Sequence, residues 1–117
     1  MNIIPMYKIL DADPVVRSLL ANRIHEDLAP ENTATPYLVW QEISGAAENS
    51  LDCGANVDHI GFQVLVYDTN QKTAAKIRSE VCRVLEKYCV VGERLGHFES
   101  ATKIFARGFQ ASKWLDR

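Results

Sequence analysis

The residues with the chemistry for an active site are few and scattered. His25, His59 and His97 lie far apart in the chain, each in or beside an expected loop or strand end. His59 follows Asp58, and an imidazole oriented by a carboxylate can act as a general base. The simpler reading is a surface histidine at the start of a strand. Cys53 sits between Asp52 and Gly54, whereas a reactive thiolate needs a cationic neighbour to lower its pKa. Its neighbours are acidic or neutral, which argues against a nucleophile. Tyr37 and Trp40 resemble a stacking platform for single-stranded nucleic acid, but such platforms come with a basic groove. Here the nearby charges are Glu42 and Glu48, so core or interface packing is the better reading.

Wider motifs are equally sparse. The sequence has no glycine-rich phosphate loop, no HExxH, no Gly-x-Ser-x-Gly elbow and no Asp-rich calcium loop. Cys53, Cys82 and Cys89 are odd in number and lack CxxC spacing, so they read as free thiols in a reducing compartment. Cys82 falls beside an apolar helical stripe and reads as a small buried hydrophobe. No catalytic residue, metal site or cofactor is expected, and the chain does not read as an enzyme.

The elements that would position these groups follow from patterning. A chain of 117 residues is expected to form a single domain, 1–117, with a core that needs no staples. Apolar residues at 47% and charged residues at 24% exclude disordered and fibrous classes. Thirteen basic against fifteen acidic residues give a net charge of −2, too weak a field to gather phosphates. Sequence-specific nucleic acid is therefore not an expected partner. The opening MNIIPMYKIL has neither a basic leader nor a long apolar run, and no segment nears the roughly 20 apolar residues of a membrane span. A soluble cytoplasmic protein without membrane contact is the expectation.

The chain is organised around His59 to Tyr88. Alternation over HIGFQVLVYD puts Ile60, Phe62, Val64 and Val66 on one face and His59, Gly61, Gln63, Leu65 and Tyr67 on the other. After the turn Asp68-Thr69-Asn70, Ala74, Ile77, Val81, Leu85 and Tyr88 recur at helical spacing, with Val84 beside them. A one-faced strand followed by a one-striped helix predicts a helix layer on a sheet. Pro5 to Asn22 reads as a kinked helix or two short ones, restarting where Asp13 can cap and Pro14 suits the first turn. His25 to Pro36 reads as a surface connection, and Tyr37 to Ser44 as a strand with large apolar groups on both faces. Gly45 to Asp58 reads as a long hairpin loop, with room for a short strand at Ser50 to Cys53. Cys89 to Gly92 should close the helix and Glu93 to Gly96 form a turn. His97 to Phe109 then has β character, which Gln110 to Leu115 can continue. The fold class expected is α+β: a mixed, mostly antiparallel sheet of about four strands against two helices. Leu65 and Tyr67, with Val39 or Trp40, make the second sheet face too apolar to stand open, which suggests self-association.

In this order of elements the chain resembles the small tail-terminator, or tail-completion, minor tail protein family of long-tailed phages and prophages. The resemblance rests on Asp13-Pro14, the Arg23-Ile24 exit, Pro36-Tyr37-Leu38-Val39, the strand Gly61 to Asp68, the helix opening near Thr73-Ala74, and the late strand ending in Phe109 and Trp114. It implies a structural virion protein that forms a hexameric ring. The ring caps the tail tube, ends its polymerisation and joins it to the head-side connector, without cofactor or catalytic group. The implied partners are further copies of the chain, the tube protein and the connector, in the bacterial host cytoplasm during assembly and then in the virion tail. On this reading Trp40, Gln63, Leu65 and Tyr67 lie at or near the subunit boundary. The loop, with Glu48, Asn49, Ser50, Leu51, Asp52 and Asn56, contacts the tube or another partner. The alternatives are a ferredoxin-like ligand-binding or regulatory domain, and a small hydrolase or nuclease using His59 with Asp58 or Asp52.

Overall fold

The alternation read in the central strand sets the architecture. In the computed structural model, which describes residues 5–48 and 57–116, Phe62, Val64 and Val66 are fully buried, with Ile60 nearly so. They sit in β3 (Val57–Asp68) at the middle of a five-stranded sheet. The elements run α1 (Met6–Asp11), α2 (Pro14–Leu20), β1 (Ile24–Glu26), β2 (Tyr37–Glu48), β3, α3 (Gln71–Leu85), β4 (Val90–Glu99) and β5 (Ile104–Asp116). The spatial order is β1-β2-β3-β5-β4. Among the described residues β1 and β2 run parallel and the other neighbours are antiparallel.

The N-terminal region forms two short helices because Asp13 breaks and restarts the chain. Its carboxylate accepts hydrogen bonds from the backbone N–H groups of Val15 and Val16 at 3.0 and 3.1 Å, and Pro14 takes the first helical position. At α3 the turn supplies the cap: Asn70 Oδ1 accepts from Thr73 N–H at 3.1 Å, while Asp68 accepts from Asn70 N–H at 3.2 Å. Ala74, Ile77, Val81, Val84 and Leu85 are buried as the stripe requires. Tyr88 lies beyond the helix end and is 48% exposed, so it leaves that stripe. Met6, Leu10, Val16 and Leu20 join the stripe and Phe62, Val64, Val66 and Phe109 in one core.

The structure departs from the expected element list at four places. The connection after Asn22 contains β1, held by Leu38 N–H donating to Arg23 C=O at 2.9 Å and Asp27 N–H donating to Trp40 C=O at 2.8 Å. Arg23 also donates from Nε to Pro36 C=O at 2.7 Å, so this arginine tethers α2, β1 and β2. The stretch read as a helix close and a turn is β4, an edge strand, and the following turn lies at Ser100 to Lys103. The sheet therefore has five strands where about four were expected. Finally, the hairpin loop is narrower than Gly45 to Asp58, because Gly45 to Glu48 and Val57 and Asp58 belong to paired strands. A short strand at Ser50 to Cys53 lies outside the described residues.

Candidate assembly surfaces

All three helices pack on the face carrying Phe62, Val64 and Val66, leaving the second face of the sheet to be accounted for. Register builds that face in rows. Tyr37 opposes Tyr67, which opposes Ala106, which opposes His97. The two tyrosine rings stack with centroids 5.0 Å apart, and His97 meets Tyr67 edge-on at 6.3 Å. Burial, reinforced by the carboxylate of Glu99, raises the pKa of both phenols. The next row is Val39, Leu65, Gly108 and Leu95, and the next is Gln41, Gln63 and Gln110.

Gly108 makes the apolar row possible. A Cβ there would stand 1.8 Å from the carbonyl oxygen of Val64, so β5 approaches β3 too closely for any side chain. Flanked by this row and by Gln63 and Tyr67, Leu65 retains only 9% exposure. The face is thus an apolar band between an aromatic row and a glutamine row. A shallow cleft of about 170 Å³ at its margin is lined by Tyr37, Val39, Tyr67, Asp27, Leu28 and Glu99. Leu28 is 81% exposed there.

At the other edge of the sheet, α3 and β4 border a cleft of about 390 Å³ over Val91 and Phe109, with Arg78, Cys82, Arg83 and Arg94 on its walls. Arg83 is engaged, donating to both Asp13 oxygens at 3.1 Å and to Glu80 at 3.0 Å. Arg78 and Arg94 form no ion pair among the described residues. Burial, and then the like charges of Arg94 and Arg107, lower the pKa of Arg78. Burial raises the pKa of the Cys82 and Cys89 thiols, which favours the unreactive protonated form. Among the described residues there is no cluster of metal ligands, and no helix is long and apolar enough to cross a membrane.

The residues singled out from sequence fall into three groups. Gln63, Leu65 and Tyr67 share the second face, as alternation requires. Trp40 lies on the helix-covered face instead, its ring edge-on to Phe62 at 6.3 Å, where it lines a groove with Met6, Ile24 and Glu26. Glu48 ends β2 opposite Val57, whereas Asn49, Ser50, Leu51, Asp52, Cys53 and Asn56 lie outside the described residues. Arg78 and Arg94 of the α3–β4 cleft, and Arg107 near them, escaped sequence reasoning, because they converge only through the β4–β5 pairing.

The sequence matches the family described as tail completion protein gp17 over residues 4–101. The chain belongs to that family. Family membership makes it a structural component of a phage-type virion tail. Its fold also matches a chain of a solved assembly titled "Virion of native gene transfer agent (GTA) particle". The TM-score is 0.76 at 13% identity, covering 96% of this chain and 92% of that one, so the likeness concerns the fold. No curated protein matches the sequence.

Proposed function

We propose that this tail completion protein works as a hexameric ring that caps the finished tail tube, ends its polymerisation and joins the tail to the head-side connector. The observation that carries the reading is the family match over residues 4–101, most of the chain. The second sheet face supports it: the band of Val39, Leu65 and Leu95 is covered by no helix among the described residues, and such faces serve association. A ring needs one heterologous contact repeated until it closes, and no catalytic group. Gln63, Leu65 and Tyr67 lie in that contact. The β2–β3 connection, including Glu48, Asn49, Ser50, Leu51, Asp52 and Asn56, meets the tube protein. Assembly takes place in the cytoplasm of the bacterial host.

The test is assembly in a host strain lacking this gene. Loss of the protein should yield tubes of uncontrolled length and heads without tails, and resupplying the chain should restore joined particles. Normal, joined tails in its absence would overturn the proposal.

A further inference from the structure

The two edges of the sheet carry opposite unpaired charge on the same side. At the β1–β2 edge, Glu26 opposes Trp40 and Glu42 opposes Phe62, which places both on the helix-covered side. Both are exposed, and neither forms an ion pair among the described residues. Lys8 shares a groove with Glu26 without an ion pair to it.

At the β4 edge the arrangement is reversed. Arg94 opposes Phe109, and Arg107 opposes Val66, so these too lie on the helix side. Arg107 is laid across Gly96, where a Cβ would stand 3.3 Å from its Nη1. It is held there by donating to the carbonyls of His97 and Ala106, at 3.2 and 2.8 Å, and by the Phe105 ring 5.5 Å from its guanidinium carbon. Arg78 completes the strip from α3. Of the nearby acids, Glu80 is taken by Arg83, and Glu86 accepts from the Cys82 thiol at 3.4 Å. Glu93 lies on the irregular stretch of β4 and makes no ion pair among the described residues.

We infer that the Arg78, Arg94 and Arg107 strip of one protomer receives the Glu26 and Glu42 edge of a second copy of this chain. Rows of opposite charge at opposite edges and on one side allow the same operation to be applied again at each step, as a closing heterologous interface demands. Like edges repel, so head-to-head pairing is disfavoured. The inference rests on the ring reading and adds an edge contact on the helix-covered side to the contact proposed for Gln63, Leu65 and Tyr67 on the other face.

Charge reversal in pairs tests it on the full chain. One variant carries R78E and R94E, the other E26K and E42K; solution mass is followed by light scattering, alone and with purified tail tubes, over a range of salt. Each variant alone should self-associate about tenfold or more weakly than wild type. An equimolar mixture, or one chain carrying all four changes, should recover association. Wild-type association should itself weaken as salt rises. Circular dichroism checks folding, and the neutral pair R94Q and E42Q replaces any reversal that melts early, with a smaller weakening expected from each. If wild type closes into rings while the reversals leave its mass unchanged, or if mixing restores nothing, this edge assignment is wrong and the ring reading stands. Wild type that closes no ring, alone or on tubes, overturns both.

Discussion

The two faces of β3 differ by one residue of phase and serve different ends. Phe62, Val64 and Val66 point into a core closed by three helices, where each neighbour belongs to the same chain. Gln63, Leu65 and Tyr67, one step along, form rows with β2 and β5 that no helix among the described residues covers. The first face is specified by volume and holds the fold. The second is specified by register and is available to another molecule. Among the described residues only the first of these faces is covered.

Substitutions along this strand should separate the two roles. The largest effect is expected at Phe62, where Phe62→Ala removes a fully buried ring and should cost about 3–5 kcal/mol of stability. Gln63→Ala beside it should stay within about 0.5 kcal/mol. Denaturant unfolding of both proteins checks the contrast, and equal losses would erase it. Gly108→Ala comes next. The new methyl group must push β5 from β3, for about 3 kcal/mol, and by spoiling the row through Leu65 it should impair assembly as well. Leu65→Asp should cost about 2 kcal/mol by putting a carboxylate in a nearly closed apolar band, and should abolish the ring in protein that remains folded. A folded Leu65→Asp protein with unchanged assembly state would remove this residue from the interface.

The smallest effect lies behind the covered face. Hydrogen bonds from the Val16 and Val15 amides, together with the Arg83 guanidinium, lower the pKa of Asp13. A depressed carboxyl contributes stability above its unfolded pKa and loses it as pH falls through the folded value. Melting temperature should therefore fall on acidification below about pH 4, the ordinary aspartate value. Asp13→Asn keeps a cap acceptor but loses the charge, so it should flatten that acid limb relative to wild type.

What the sequence disclosed follows from where phase is kept. The β3 alternation and the α3 stripe through Leu85 are unbroken, so the central strand and its covering helix could be read directly, while Tyr88, one turn further, falls outside the helix. Asp13-Pro14 likewise announced the restart between α1 and α2. β1 was hidden because three residues cannot display a period, and it exists only through pairing with β2. β4 was hidden by its irregularity: pairing jumps from Val91↔Ala111 to Arg94↔Phe109, so Val90, Leu95 and Phe98 show no single alternation. With its two glycines the segment looks like a turn. The second face was legible through Leu65 and Tyr67. Trp40 was assigned near the boundary from pattern and position, and the register of β2 places it with Leu38 on the helix side. The arginine strip was not legible, since it needs a helix and two paired strands to bring it together.

The central claim is that copies of this chain close into a six-membered ring at the end of the tail tube. The most direct measurement is electron microscopy of tail ends assembled with the labelled protein, with the mass per ring counted alongside. The account predicts one ring of six copies at the head-proximal end of each finished tube. Labelled protein spread along the tube, or present as single copies, would contradict it.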